Sequence, residues 1–319
     1  MGITLRPLGE ADIPDLARLM AACEAIDDTG EHYNEPDLAE EFANPDIELG
    51  KDIVGAYDGS ALVGYWSVMP RGDGEGRKVY GFGLTLPDRR GQGIGTTLVE
   101  TMLARVSELR STGDPLVSVL TNGVSTNASQ AELMKDFGLA PDRWSFSMRV
   151  KLGSIPPAPP MPAGYVVRVY APEDADRWRG AHNIAFADHP NFADWLPSEW
   201  DQWVIHSRNF RPDVSFLVTP EGSPETIAAY VQTSEFDAFT EMTGKREAYV
   251  GKVGTLPDHR GKGLASALLR HSLVAFQEAG YDESSLDVDS LNPTGALAIY
   301  ERVGYETERV HVTYTKVFT

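Results

Sequence analysis

The stretch Leu256-Pro-Asp-His-Arg-Gly-Lys-Gly-Leu-Ala265 places two glycines between a strand-like run and a helix-like run. The run before it, Tyr249–Leu256, predicts a strand, and the run after it, Leu264–Ala279, predicts a helix. A glycine-rich turn that opens into a helix leaves backbone N–H groups unpaired at the positive end of the helix dipole. The stretch therefore predicts an anion site, to which Arg260 and Lys262 add charge.

The same pattern occurs once earlier in the chain, as Leu86-Pro-Asp-Arg-Arg-Gly-Gln-Gly-Ile-Gly95. Between the two copies lies Ser154–Gly164, a proline-rich segment through which neither a helix nor a central strand can run. A long-period repeat on either side of a stiff spacer indicates domain duplication. We predict an N-terminal domain at residues 1–153, a linker at 154–164 and a C-terminal domain at 165–319.

Length and charge agree with two acidic domains. The chain has 319 residues, and its 28 Lys+Arg against 47 Asp+Glu give a formal charge of −19. At roughly 150 residues per domain this length suggests two domains. The charge argues against binding to nucleic acid or to an anionic membrane, and it suits a cationic partner such as an amine.

Cysteine content and the absence of targeting signals predict a cytoplasmic location. The single cysteine, Cys23, can form neither an internal disulfide nor a Cys-rich zinc site, and we predict no metal. No apolar run approaches the length of a membrane span, and the N-terminus has no signal-peptide pattern.

The order of predicted elements in each half is a strand, one or two helices, a strand meander, the glycine turn, a long helix, a strand, a helix and terminal strands. In the second half the predicted strands include Ile227–Thr233, Ser285–Asp289 and Val310–Val317, and Gly295–Val303 is a helix that ends at Gly304. This order is typical of a layered α/β domain.

Two common nucleotide motifs do not fit the turn. A Walker A loop ends in Gly-Lys-Ser/Thr, and neither copy does. A dinucleotide fingerprint needs a third glycine, where the two copies have Thr96 and Ser266. What remains is R-x-x-G-x-G in the first half and R-x-x-G-x-A in the second, or a turn that only joins a strand to a helix.

At these residues the sequence resembles a family. Leu84–Val99 and Val253–Leu269 resemble the acyl-coenzyme A motif of the GNAT N-acetyltransferase superfamily, and Leu286–Tyr305 resembles its N-x-x-A-x-x-L-Y-x-x-x-G-F/Y segment with one inserted residue. The tandem arrangement is similar to the mycothiol synthase-like branch. The resemblance implies two GNAT-like α/β domains, each a mixed, mostly antiparallel sheet flanked by helices, with acetyl-CoA (coenzyme A) as cofactor.

The resemblance also implies cofactor-binding residues, whose backbone pairs with pantetheine and cradles the pyrophosphate. In the second half these are Val253, Gly254, Thr255, Arg260, Gly261, Lys262, Gly263, Leu264, Ala265, Ser266 and Asn292. In the first half they are Leu84, Thr85, Arg90, Gly91, Gln92, Gly93, Gly95 and Thr96.

The resemblance implies that Tyr300 is the general acid that protonates the leaving thiolate of coenzyme A, a role that suits a tyrosine hydroxyl. Glu247 is the predicted general base, although Tyr249 aligns best with that position, and Asp287 and Asp289 are rivals. In the first half Met134 stands where the tyrosine should be, and a thioether cannot donate a proton. We therefore expect catalysis in the C-terminal domain, with the N-terminal domain structural or binding coenzyme A without turnover.

The acceptor is expected to meet the segment Ala181–Phe210, where Asp188 would pair with a cation and Trp195 and other aromatics would form a wall beside His189. These aromatics can equally be the core of a helical lid. We expect an N-acyltransferase acting on a primary amine, most simply of a small molecule. The alternatives are a non-catalytic acyl-CoA sensor or scaffold, a polypeptide acceptor, or the branch's own reaction on the amine of a cysteinyl pseudo-disaccharide. The oligomeric state is not predicted.

Overall fold

The computed structural model describes residues 2–71, 77–111, 117–187, 192, 194–291 and 295–318. Short 3-10 turns precede several of the helices. The elements of the first half are, in chain order, β1 (Thr4–Pro7), α1 (Ile13–Asp27), α2 (Glu35–Phe42), β2 (Ile53–Asp58), β3 (Ala61–Arg71), β4 (Arg77–Thr85), α3 (Ile94–Ser111), β5 (Val117–Val124), α4 (Ala128–Asp136) and β6 (Ala140–Lys151).

The second half repeats this order after the proline-rich segment, with one additional short helix, α7, after its third strand. Its elements are β7 (Tyr165–Val169), α5 (Ala175–Phe186), α6 (Pro197–Trp200), β8 (Phe216–Pro220), β9 (Ala229–Ser234), α7 (Asp237–Thr243), β10 (Glu247–Thr255), α8 (Leu264–Glu278), β11 (Glu283–Asp289), α9 (Ala296–Val303) and β12 (Glu306–Phe318).

The chain folds as two compact units, each with a strand from the other half of the sequence. Unit 1 consists of residues 1–144 and 309–319, and unit 2 of residues 145–308. In unit 1 the strand order is β1-β2-β3-β4-β5-β12, and in unit 2 it is β7-β8-β9-β10-β11-β6. In both, one central pair is parallel and the other pairs are antiparallel. The predicted α/β class with mixed, mostly antiparallel sheets is confirmed.

The exchange of strands gives the compact units bounds that differ from the predicted division at 154–164. The segment Ser145–Lys151 of β6 pairs with β11, and His311–Phe318 of β12 pairs with β5. Alternating apolar and polar residues predict a strand but do not state which sheet it joins, so the sequence alone does not reveal this exchange.

Each sheet carries a core on both of its faces. In unit 2, α8 packs on one face through Leu268, Leu269, Leu273 and Phe276, and all four are buried. On the other face, α5 contributes Trp178 to a second core. The sheet therefore lies between two helical layers and positions the strand ends at which the glycine turns follow.

The completed sheet of unit 2 depends on Arg149 of β6. Its guanidinium group pairs with Glu247 and, at 2.7 Å, with Glu283, and both carboxylates are buried. It also meets Glu308 at 2.8 Å. Without Arg149 two buried like charges would face each other, since Glu247 and Glu283 are paired residues of β10 and β11.

We expect a fragment of residues 145–308 to fold cooperatively and a fragment of residues 165–319 to be unstable. The second fragment lacks the strand that covers β11 and the arginine between two buried carboxylates, a loss of about 3–5 kcal/mol. Urea unfolding of both fragments, followed by circular dichroism, checks this. Equal stability of the two fragments would contradict the exchange of strands.

Candidate active site

The glycine turn of unit 2 forms the mouth of α8. Gly261 and Gly263 have φ values of +74° and +80°, a conformation that favours glycine, and a side chain at either would point into open space. Helix α8 begins directly afterwards at Leu264. The N–H groups of the first turn have no partner within the helix, so the structure brings together backbone donors that can hold a diphosphate.

Beside this turn, the Tyr165 hydroxyl links the side chains of Lys262 and His259. Lys262 Nζ donates to the Tyr165 hydroxyl at 2.9 Å and to the Asp258 carbonyl at 3.1 Å. The same hydroxyl lies 2.8 Å from His259 Nδ1. A flexible ammonium held next to the helix mouth adds positive charge where an anion would bind.

The arginine of each motif copy, Arg260 or Arg90, contacts other groups of the protein. Arg260 donates to the carbonyls of Thr255 at 3.1 Å and Ala185 at 2.9 Å, which links the end of β10 to the end of α5. In unit 1, Arg90 donates to the Thr85 carbonyl at 3.1 Å and forms a bidentate pair with Asp27. A role for these guanidinium groups in cofactor binding therefore stays a prediction from the sequence.

A gap opens where the two parallel strands of unit 2 separate. Strand β11 pairs with β10 only from Glu247 to Tyr249, and β10 then continues to Thr255. Its pairing with β9 shifts register between Val250 and Lys252, which is a β-bulge at Gly251. A bulge turns a backbone N–H out of the ladder. In the described part of unit 2, the β11-facing edge of Val253–Thr255 has no strand beside it.

Unit 1 contains the corresponding gap, which is a cavity of about 340 Å³. Strands β4 and β5 pair from Arg77 to Gly81 and then separate. The pairing of β4 with β3 runs to Thr85 without a shift of register, unlike that of β10 with β9. Seven of the eight residues predicted for this half line the cavity: Leu84, Thr85, Arg90, Gly91, Gly93, Gly95 and Thr96. The eighth, Gln92, is exposed, and its side chain donates to the Asp88 carbonyl.

Tyr300 lies on α9, partly buried against the core of unit 2. Its ring packs edge-on against Tyr305, with the ring centroids 6.2 Å apart. Burial raises the pKa of Tyr300 to about 12, so the hydroxyl keeps a proton to give at neutral pH. At the corresponding point of unit 1, Met134 is buried on α4 and lines the cavity. Asn292, predicted to flank the thioester, lies outside the described residues.

The predicted base, Glu247, is the first residue of β10 and is 7% exposed. Burial raises the pKa of its carboxyl group, and the charge of Arg149 opposes that effect. Its rival Asp287 accepts hydrogen bonds from Ser147 and, at 3.0 Å, from the Tyr249 hydroxyl. Asp289 accepts from the Leu291 N–H at 2.8 Å. The three carboxylates are thus all engaged with protein groups, and these contacts do not choose among them.

Aromatic rings surround His182 on the α5 side of unit 2. We call Phe186, Phe192, Trp195, Trp200 and Tyr230, together with His182, the acceptor-side cluster. Their ring centroids lie between 4.5 and 6.4 Å from that of His182. Lys252 Nζ lies 5.1 Å from the centroid of the Trp195 ring. The cluster includes the predicted Trp195, whereas Asp188 and His189 lie outside the described residues.

Sequence reasoning missed Tyr230, the residue that joins the cluster to Gly254 of β10. Its hydroxyl lies 2.7 Å from His182 Nδ1, and its ring covers Gly254 so closely that a Cβ there would overlap it. The one signal in the sequence is a tyrosine in a buried strand whose partner strand has a glycine at the paired position.

Comparison with known proteins identifies the class. The sequence matches the acetyltransferase (GNAT) family at residues 17–138 and 178–305, one stretch in each unit. The chain therefore belongs to the GNAT acetyltransferase family. It is a tandem GNAT N-acetyltransferase, and acetyl-CoA is its acetyl donor.

Its relatives are of the mycothiol synthase-like type. The mycothiol acetyltransferase of Thermobispora bispora is 30% identical over 267 residues, which cover 82% of this chain and 82% of that protein. The mycothiol acetyltransferase of Saccharomonospora viridis is 28% identical over 315 residues, which cover 95% of each. The chain is similar to these enzymes over nearly its whole length.

Solved structures agree on the fold. A GCN5-related N-acetyltransferase from Sphaerobacter thermophilus superposes with a TM-score of 0.80 at 26% identity, covering 99% of this chain and 95% of that one. A tandem GNAT protein from the clavulanic acid biosynthesis pathway has a TM-score of 0.73 at 16% identity, covering 99% and 98%. In the described part of the chain, no helix combines the length and apolar character needed to cross a bilayer.

We expect the native state to lose stability as the pH falls from 6.5 towards 3, in part through His182. Burial, with a smaller effect from Lys252, lowers the pKa of His182 from 6.5 to about 3, so the unfolded chain binds a proton that the folded chain does not. When the pH falls from 7 to 5, the free energy of unfolding of His182→Gln should decrease by about 2 kcal/mol less than that of the wild type. Urea unfolding followed by tryptophan fluorescence measures both. An equal pH dependence would contradict a neutral, buried His182.

Proposed function

We propose that unit 2 transfers the acetyl group of acetyl-CoA to the primary amine of a small molecule, with Tyr300 as general acid. The observation that carries this assignment is the difference between equivalent positions in the two units. Tyr300 on α9 keeps its proton at neutral pH, whereas the equivalent Met134 lines the cavity of unit 1 and has no proton to give.

The proposed reaction is direct attack. The amine nitrogen forms a bond to the thioester carbonyl carbon, the C–S bond breaks, and the thiolate takes its proton from the Tyr300 hydroxyl. The carbonyl oxygen becomes negatively charged on the way. The backbone N–H that the bulge at Gly251 frees from the ladder is a suitable donor for that oxygen.

The proton of the amine goes to a carboxylate, for which we propose Glu247. Arg149 favours its ionised form, the form that can accept a proton, while burial makes the carboxyl group a stronger base. Asp287, beside the Tyr249 hydroxyl, is the alternative.

We propose that the glycine turn and the open edge of β10 hold the cofactor, through the residues predicted from the sequence. The N–H groups from Gly261 to Ser266 would take the pyrophosphate, and the backbone of Val253–Thr255 the pantetheine amides. The cavity of unit 1 supports a second acetyl-CoA site without turnover, lined by the predicted residues of that half. The catalytic part is then the C-terminal half, in keeping with the predicted domains.

For the acceptor we propose the amine of a cysteinyl pseudo-disaccharide, because the relatives are named mycothiol acetyltransferases. The acceptor-side cluster provides aromatic walls for a small molecule, and Trp195, with Asp188 and His189, is proposed to contact it. A polypeptide amine remains the competing acceptor and would need a groove in place of a closed pocket.

Tyr300→Phe is expected to lower kcat about a hundredfold, because general acid catalysis contributes at least this much. The matched control is Met134→Leu, a volume-conserving change at the equivalent position of unit 1, which should leave kcat unchanged. Loss of the acetyl-CoA thioester in the presence of a cysteinyl amide or glucosamine measures both. Full activity of the phenylalanine variant would refute Tyr300 as the acid.

Gly263→Ala is expected to raise KM for acetyl-CoA about tenfold, because an alanine at positive φ costs about 1–2 kcal/mol. Gly93, with φ +82° in the turn of unit 1, offers the matching change. Gly93→Ala should leave the steady-state constants unchanged and weaken only a second binding event in calorimetry. If Gly93→Ala alone abolished activity, the assignment of catalysis to unit 2 would be reversed.

A further inference from the structure

The two units can be compared position by position at the start of their first helices. Arg6 forms a bidentate pair with Asp12, and Arg168 forms the same pair with Asp174. Counted from these aspartates, Met20 of α1 is at the position that His182 has on α5. The first helix therefore carries a thioether at this position in unit 1 and an imidazole in unit 2.

A tyrosine occupies the equivalent strand position in both units. Tyr65 of β3 pairs with Leu84 of β4, and Tyr230 of β9 pairs with Gly254 of β10. Both tyrosines are buried. In unit 1 the Tyr65 hydroxyl donates to Met20 Sδ at 3.8 Å, whereas in unit 2 the Tyr230 hydroxyl lies 2.7 Å from His182 Nδ1.

Gly254 makes room for the Tyr230 ring. A side chain at Gly254 would overlap the Tyr230 hydroxyl, so this tyrosine can lie across β10 only because its pair is a glycine. Leu84 fills the same place in unit 1. The polar pair and the glycine thus occur together in unit 2, and methionine and leucine replace them in unit 1.

The protonation states define what the Tyr230 oxygen, which lies over Gly254 on the open edge of β10, offers to a ligand. Burial holds the pKa of Tyr230 well above its usual range, and His182 is neutral at pH 7. When the hydroxyl donates to the neutral imidazole nitrogen, its oxygen presents only lone pairs in other directions. A primary amine must aim its own lone pair at the thioester carbon, and its N–H bonds then need an acceptor to one side.

We propose that the Tyr230 oxygen accepts an N–H hydrogen bond from the attacking amine, and that His182 is a positioning residue that directs the Tyr230 hydroxyl. Tyr230 neither gains nor loses a proton in this role. The ligand that fits is an amine with an N–H left over after its lone pair is aimed at the thioester. The inference rests on the proposed acetyl transfer in unit 2.

The test compares four variants with the wild type, using acetyl-CoA and the cysteinyl amide or glucosamine that the wild type acetylates. Tyr230→Phe should lower kcat about tenfold, the effect of one lost hydrogen bond, and leave KM for acetyl-CoA unchanged. His182→Met, which copies unit 1, should lower kcat to a similar extent. His182→Gln keeps a hydrogen-bonding group near Tyr230 and should recover part of the rate. Tyr65→Phe is the matched control, with no loss expected.

A double variant separates positioning from a structural role. If His182 acts through Tyr230, then Tyr230→Phe combined with His182→Met should be no slower than Tyr230→Phe alone. Multiplying losses would overturn the inference, as would wild-type kcat in Tyr230→Phe or an equal loss in Tyr65→Phe. If the wild type acetylates neither amine, the proposed function fails and the inference falls with it. If the wild type is active and Tyr230→Phe is too, only the inference fails.

Discussion

The separation of two parallel strands is the constraint on which the candidate site of each unit depends. While β10 and β11 remain paired, both edges of β10 are used in the ladder, and no backbone group is available to a ligand. Once they separate after Tyr249, the strand presents an open edge that leads to the N-terminus of α8. Because the following turn has glycines at positive φ, that helix mouth remains uncovered.

The separation also has to be held open by the rest of the sheet. β11 moves away from β10 but keeps its other neighbour, because Ser145–Lys151 pairs with it along its whole length. Arg149 in that segment joins the first paired residues of β10 and β11, which are Glu247 and Glu283. The short paired stretch that precedes the separation thus begins at a buried ion pair. Without Arg149 the buried Glu247 would lose its cationic partner, whereas Glu283 would keep Lys245 at 3.1 Å. Glu247 is both a partner of Arg149 and the proposed base, so the pKa of its carboxyl group depends on this ion pair.

Local sequence signals predicted the turns and helices, because neighbouring residues determine where these elements begin and end. The glycine turn, the helix after it and the helix that carries Tyr300 follow from spacing and end signals, and both helices lie within one residue of the predicted bounds. The exchange of β6 and β12 could not be predicted, because the period of a strand does not identify its neighbour. Arg260 and Arg90 show a second limit. A basic residue in an anion motif predicts a ligand contact, but a nearby carbonyl or carboxylate can take the guanidinium instead.

The difference between the units is best understood through the cost of burying polar groups. A buried hydroxyl without a good partner costs about 1–3 kcal/mol, so Tyr230 and His182 satisfy each other at 2.7 Å. Tyr65 retains its hydroxyl beside Met20, although a thioether is a weak acceptor. Unit 1 therefore has the buried tyrosine without the imidazole, and it has Met134 in place of the proposed acid; both Tyr65 and Met134 line its cavity. The seven predicted cofactor residues that line this cavity are the feature of unit 1 that supports the proposed second acetyl-CoA site.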